Sequence, residues 1–133
     1  MPINIMFVDD EPNTVNVIKL LVGLEQPEWI FHPAYDGETA LSLAEQTPLD
    51  FVLLDISMPG MDGIEVCQRL RQMPKTSHVP IVMLTALDTV QRRAQSKEAG
   101  ATDFWVKPFK PTSLVKDIAK VIDAHQAATD SRP

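Results

Sequence analysis

Sulfhydryl chemistry is nearly absent from this sequence. Its one cysteine, Cys67, has no second cysteine with which to form an internal disulfide and no zinc-ligand spacing around it, so it reads as a core thiol. Long apolar runs are missing as well. None approaches the roughly 20 residues needed to span a bilayer. The opening Met1-Pro2-Ile3-Asn4 has neither a basic stretch nor a small-residue cleavage site, so a cytoplasmic protein with no membrane partner is expected. Clustered positive charge is lacking: 12 Lys and Arg are scattered among 18 Asp and Glu, for a net charge of −6. Gripping nucleic acid or an anionic membrane requires a concentrated basic surface, so neither contact is expected of this domain. Internal repeats and low-complexity tracts are absent too.

What is present is enough for one ordinary core. The 133 residues are 44% apolar and 23% charged, and a domain of this length buries roughly two-thirds of its extended-chain surface. Ile3–Val8, Phe51–Leu54 and Ile81–Leu84 are short runs of strand formers, each ending abruptly at a polar residue. Such runs fit strands covered on both faces of a parallel sheet. Trp29–Tyr35 also reads as a strand, but Pro33 cannot donate to a sheet ladder, so this strand belongs at an edge. Phe104–Val106, stopped by Lys107-Pro108, suits the opposite edge.

Helical spacing separates these runs: Val15, Ile18, Leu21 and Val22; Ala40, Leu43 and Ala44; Ile64, Cys67 and Leu70; and finally Leu114, Ile118, Val121 and Ile122. A further helix, over Asp88 to Ala99, has only Val90, Ala94 and Ala99 as apolar residues and is expected to be the most mobile. Five strand-then-helix units imply right-handed crossovers, with helices on both faces of the sheet. The fold class is α/β, doubly wound. The domain is expected to span residues 1–126, with 127–133 a polar tail or linker that leans toward continuation into a longer protein. The three histidines, His32, His78 and His125, read as scattered structural or solvated residues, and Trp29 and Trp105 as packing residues.

In an open parallel sheet the loops leaving the carboxyl ends of the strands meet in one crevice. The polar residues delivered there are Asp9 and Asp10, Asp55, Thr85 and Lys107. Each has an ordinary explanation when taken alone. Asp10 could cap the first helix, with Glu11 and Pro12 in its first turn; Asp55 could be a turn residue; Thr85 could cap the fourth helix; Lys107 could be a solvated surface lysine. Together they point to chemistry. Three carboxylates in one crevice repel unless a cation sits among them, and oxygen ligands in a shallow open site suit Mg2+. A carboxylate nucleophile, a divalent metal, a hydroxyl and an ammonium are the parts needed for in-line phosphoryl transfer to an aspartate.

At this point the sequence resembles the receiver domains of two-component response regulators over nearly its whole length. The resemblance rests on Asp9-Asp10-Glu11-Pro12, on Leu54 through Gly63, on Leu84-Thr85-Ala86 and on Gly100 through Phe109, in that order. It implies a flavodoxin-like fold, a five-stranded parallel sheet ordered 2-1-3-4-5 with five helices. That order is itself known from a member of this family, so its agreement with the edge assignments is not independent of the resemblance. The resemblance further implies that Asp55 accepts a phosphoryl group from a histidine kinase or phosphotransfer protein. Asp10, Asp55 and the backbone carbonyl of Ser57 would hold Mg2+, with Asp9 acting directly or through water, Thr85 and Lys107 would bond phosphoryl oxygens, and the Lys107-Pro108 bond would be cis. Thr85 and the aromatic Phe104 would relay the change to the face of the fourth helix, fifth strand and fifth helix.

Such a domain catalyses only its own phosphorylation and dephosphorylation, and is not an enzyme for a separate substrate. Its further partners would be an output domain or downstream protein and a phosphorylation-dependent second copy. Thr102 stands where many winged-helix regulators carry an acid, and Ser113 to Asp117 lacks their arginine-bearing pattern, which weakens the case for their charge-paired dimer. Two alternatives compete. A haloacid-dehalogenase-like aspartyl phosphatase would want a second aspartate two residues past the nucleophile, where this chain has Ser57. A degenerate receiver acting only as an interaction module would not need the acidic pair, acceptor, hydroxyl and lysine together.

Overall fold

The computed structural model describes residues 2–130, without the side chains of residues 129 and 130. Strands and helices alternate: β1 (Asn4–Val8), α1 (Pro12–Glu25), β2 (Ile30–Ala34), α2 (Gly37–Gln46), β3 (Phe51–Asp55), α3 (Gly63–Gln72), β4 (Ile81–Thr85), α4 (Val90–Ala99), β5 (Asp103–Val106) and α5 (Leu114–Asp130). All pairings are parallel, in the order β2-β1-β3-β4-β5. The expected α/β fold and strand order are both present. Pro33 lies opposite Phe7 on the edge strand β2, where its missing N–H can face away from the ladder.

Side-chain alternation along the strands divides the interior into two layers. Met6, Val8, Val52, Leu54, Ile81 and Met83 face α2, α3 and the end of α4, meeting Ala40, Ala44, Val66, Cys67, Leu70 and Ala99. Ile5, Phe7, Phe51, Leu53, Val82 and Leu84 face α1 and α5, meeting Val15, Ile18, Val22, Leu114, Ile118 and Ile122. Burial of each large aliphatic or aromatic side chain contributes about 1.5–3 kcal/mol, so the central strands, apolar on both faces, anchor the fold. Their carboxyl ends are thereby held in fixed relation to one another.

Local chemistry sets the helix starts. The side chains of Asp36, Asp62 and Thr89 accept hydrogen bonds from the backbone N–H groups of Thr39, Glu65 and Arg92, at 2.7, 3.0 and 3.0 Å. The first helix is capped by Glu11, whose carboxylate accepts from Asn13, and not by Asp10. Thr85 is likewise not the cap of α4, since Thr89 is. At the other end of α4, Gly100 takes the left-handed conformation, φ 99°, that closes a helix.

The structure departs from expectation in three places. The fourth helix starts at Val90, not Asp88, and Val90 and Ala94 face solvent while Ser96 and Ala99 are buried. Ser96 can be buried because its hydroxyl donates to the carbonyl of Arg92 at 2.8 Å. In the segment expected to be a polar tail, residues 127–130 continue the helix α5, because Ala and Gln sustain a helix without a buried stripe. Residues 131–133 of the expected tail lie outside the described residues. The histidines are not all scattered, either. His78 and His125 stack with ring centroids 6.3 Å apart, at the end of the sheet opposite the carboxylates.

Candidate functional site

Asp9 follows the last residue of β1, while Asp55 and Thr85 are the last residues of β3 and β4. Lys107 follows β5, and its N–H donates to the carbonyl of Thr85 at 2.7 Å, extending the ladder by one step. Neighbouring parallel strands thus bring residues far apart in sequence to one edge of the sheet. The Lys107-Pro108 bond is cis, as the resemblance implied.

The carboxylates of Asp9, Asp10 and Asp55 each place an oxygen within 4.8 Å of the others. Asp9 and Asp55 are buried, and Asp10 is exposed at the rim. Lys107 Nζ lies 3.1 Å from Asp9 Oδ2 and 3.6 Å from Asp55 Oδ2. Asp9 Oδ1 accepts from the Glu11 N–H at 2.9 Å, and Asp55 Oδ1 more loosely from Ser57 N–H at 3.4 Å. The Thr85 hydroxyl, fully buried, accepts from the Leu87 N–H at 3.2 Å.

One ammonium against three carboxylates leaves the site short of positive charge. Burial, and next the Asp9 charge, push the Asp55 carboxyl up from 3.8 to about 6, against the opposing pull of Lys107. A group of oxygen donors so poorly neutralised fits a hard divalent cation. The carboxylates of Asp9, Asp10 and Asp55 therefore form a group that could hold a metal ion.

Phe104, partly buried, packs on the layer of the core that faces α2 and α3. Its other face lies under the guanidinium of Arg93, 4.7 Å from the ring centroid. Trp105 packs near Phe51, as expected of a packing residue, and its indole N–H donates to Asp103 Oδ2 at 3.1 Å. Cys67 is a core thiol, as expected: it is buried, and desolvation pushes it up to about 11, far from thiolate formation at neutral pH. Among the described residues no helix is long and apolar enough to cross a membrane.

A family model for the response regulator receiver domain matches residues 5–119. The chain belongs to the response regulator receiver family. This receiver is 41% identical over 114 residues to the response regulator PleD of Caulobacter vibrioides, covering 86% of this chain and 25% of that protein. It is 37% identical over 118 residues to the DNA-binding dual master transcriptional regulator RpaA of Synechocystis, covering 89% of this chain and 48% of that protein. The chemotaxis protein CheY4 of Vibrio cholerae superposes with a TM-score of 0.84 at 29% identity, over 91% of this chain and 99% of that one. The receiver spans from about a quarter to half the length of the curated relatives it matches. Its family role is that of a phosphoryl-accepting signalling switch in two-component systems.

Two residues of structural consequence were not legible in the sequence. Arg71 and Arg93 sit on amphipathic helices with the spacing of ordinary solvent-facing arginines. Only the tertiary fold brings Arg71 to the carbonyls of Gly100, Thr76 and Val79 and Arg93 to Phe104.

Proposed function

We propose that Asp55 is the phosphoryl acceptor of this receiver, charged by a histidine kinase or phosphotransfer protein in a Mg2+-dependent reaction. The observation that carries this reading is the convergence of Asp9, Asp10 and Asp55 within 4.8 Å, with the Lys107 ammonium 3.6 Å from the acceptor carboxylate. Side-chain oxygens of Asp9, Asp10 and Asp55 and the backbone carbonyl of Ser57 would hold the ion. Bound there, Mg2+ would supply the positive charge that lets an anionic phosphoryl group approach three carboxylates.

An Asp55 carboxylate oxygen attacks phosphorus, a P–O bond forms, and the bond to the donor imidazole nitrogen breaks as that nitrogen leaves with the electron pair. Asp55 must be ionised to attack. Lys107 favours the ionised form and is close enough to bond an oxygen of the transferred group. Thr85 has a hydroxyl hydrogen to offer, since its oxygen is already used as an acceptor by Leu87. A largely apolar hollow beside Lys107, lined by Val17, Pro108, Phe109 and Pro111 among others, gives a donor protein a surface to seat on.

The added charge of about −1.5 to −2 draws Thr85 and Lys107 toward Asp55. Phe104 then repacks, and the change reaches the face formed by α4, β5 and α5. Residues 1–126 act as the switching unit. The segment 127–133 would serve as the connection to whatever follows, and its residues 127–130 still belong to α5. The output domain or downstream protein, and any phosphorylation-dependent second copy, would read the α4-β5-α5 face. Incubation with acetyl phosphate and Mg2+ tests the assignment: the intact protein should gain the mass of one phosphoryl group, and Asp55→Asn should not. Continued single-site labelling of Asp55→Asn would overturn it.

A further inference from the structure

We propose that Asp88, Arg93 and Phe104 form a latch that holds the unphosphorylated packing, with Arg93 as the positioning residue that couples the β4–α4 loop to the aromatic switch. The inference rests on the proposed relay through Thr85 and Phe104, and adds what opposes it in this chain.

Arg93 occupies two partners at once. Its Nε donates to Asp88 Oδ1 at 2.7 Å and its Nη2 to Asp88 Oδ2 at 3.2 Å, a two-pronged pairing that fixes the plane of the guanidinium. That plane is carried over the Phe104 ring, 4.7 Å from its centroid, within the range of a cation–π contact. A lysine could not do both, because a point charge has no plane to fix. The pairing, with a smaller contribution from nearby Asp103, holds the Arg93 guanidinium even more firmly in its charged form.

The anchor of the latch lies beside the phosphoryl site. Asp88 is three residues beyond Thr85, and the link between them is held by the hydrogen bond from Leu87 N–H to the Thr85 hydroxyl. If the side chain of Thr85 is drawn toward a phosphoryl group, its oxygen moves away from the Leu87 N–H, that bond is lost and the loop carrying Asp88 is released. Asp88 then cannot keep Arg93 over Phe104. The arginine and its two partners thus join the phosphoryl-facing hydroxyl to the switch aromatic through hydrogen bonds, one short stretch of backbone and a ring contact. The groove bounded by Arg93, Ser96, Lys97 and Phe104 leaves the ring open on that side once the guanidinium moves.

All three groups are partly or largely solvent-exposed, so the latch is weak and reversible. Exposed ion pairs and cation–π contacts of this kind change an equilibrium by about two- to fivefold, which suits a switch biased by phosphorylation. A lock many times stronger would oppose activation.

The test uses the full chain as wild type and as Arg93→Ala, Arg93→Lys, Asp88→Asn and Phe104→Leu. Without any phosphoryl donor, hydrogen exchange of the amides of Leu87 through Val90 should be about two- to fivefold faster in Arg93→Ala than in wild type, and the Phe104 ring resonances, assigned by their loss in Phe104→Leu, should move. Asp88→Asn should do the same, and should add nothing further on top of Arg93→Ala. Arg93→Lys should recover only part. Acetyl phosphate labelling should be faster in Arg93→Ala by a similar factor. If exchange and ring resonances in Arg93→Ala equal those of wild type, the latch is wrong, whatever the labelling shows. If wild type is not labelled by acetyl phosphate but those donor-free changes occur, the latch stands as a conformational clasp and the phosphoacceptor reading fails. If Asp88→Asn and Arg93→Ala effects simply add, Asp88 is not the anchor and the proposal is overturned.

Discussion

Lys107 Nζ lies closer to Asp9 than to Asp55, at 3.1 against 3.6 Å. The ammonium is therefore hydrogen-bonded chiefly to a carboxylate that the proposed chemistry leaves unmodified. It can swing to the acceptor without breaking a bond to the acceptor first.

Replacing Lys107 by Met removes the one cation within 4 Å of these carboxylates among the described residues. Mutual repulsion of the carboxylates then grows, and a divalent ion gains what the lysine no longer supplies. Mg2+ affinity of Lys107→Met should rise by about tenfold or more, while acetyl phosphate labelling should fall by about 10- to 100-fold, the usual loss of one charge-stabilising contact. Calorimetric titration and mass spectrometry read the two separately. A fall in both would show that the lysine acts by holding the site together and not by charge.

The buried carboxylate of Asp55 predicts a pH dependence of stability in the metal-free protein. Folding raises Asp55 from 3.8 to about 6, through burial first and the Asp9 charge second. Between those values the folded chain keeps a proton that the unfolded chain has released, so stability falls as pH rises through the window. Above about pH 6 the full penalty is present, up to about 3 kcal/mol. Urea unfolding in the presence of chelator should show Asp55→Asn to be more stable than wild type at pH 7, with the difference vanishing near pH 4. Mg2+ should stabilise wild type at pH 7 and do so less at pH 5. An unfolding midpoint of wild type that rises between pH 4 and 7 by the contribution of this group would contradict the sign.

Two glycines of the same segment should respond to alanine for different reasons. A Cβ on Gly63 would sit 2.2 Å from the Asp55 carbonyl oxygen and 2.7 Å from Ile56 Cα, both backbone atoms that cannot step aside. Gly60 has open space but a φ of 74°, which asks only for left-handed backbone. Gly60→Ala should cost about 1 kcal/mol and leave labelling nearly unchanged. Gly63→Ala should cost about 2–4 kcal/mol and also slow labelling, because the strain falls on the peptide group of Asp55, the proposed acceptor. Denaturant midpoints and labelling rates of the two variants check the contrast.

The sheet was legible from the sequence because central strands of a parallel sheet must be apolar on both faces, and Pro33 excluded one strand from the interior. The carboxylate convergence followed from that order plus the rule that strand ends share a crevice. Asp55 and Thr85 close their strands and do not follow them, a difference of one residue that pattern reading cannot resolve. Ser96 was missed as a buried residue because its hydroxyl is satisfied by its own helix, so hydropathy misjudges it. The stacking of His78 on His125 could not be foreseen, since one residue precedes β4 and the other sits late in α5. Long-range side-chain pairings carry no periodic signal.

Arg71 makes long-range pairings of the same kind. It is half-buried, and its guanidinium donates to the carbonyls of Gly100, Thr76 and Val79, at 2.9, 2.9 and 2.6 Å. A longer contact, 3.4 Å, reaches the Thr102 hydroxyl. These bonds tie the end of α3 to the loop before β4 and to the left-handed cap of α4. Burial pulls the guanidinium below its ordinary value, and the carbonyls it meets stand in for the water it has lost. Among the described residues Arg69, two residues away, pairs with Glu65 on the exposed face of the same helix. Arg71→Ala should therefore destabilise by about 2–4 kcal/mol, since it removes the arginine donor from the partly buried carbonyls of Val79 and Gly100, whereas Arg69→Ala should change stability by less than about 1 kcal/mol. Because α4 buries little besides Ser96 and Ala99, losing the Arg71 tie should also speed hydrogen exchange across α4 while leaving α1 protected. Equal stability of the two variants, or exchange that rises uniformly over the chain, would show that α4 is held by something other than Arg71.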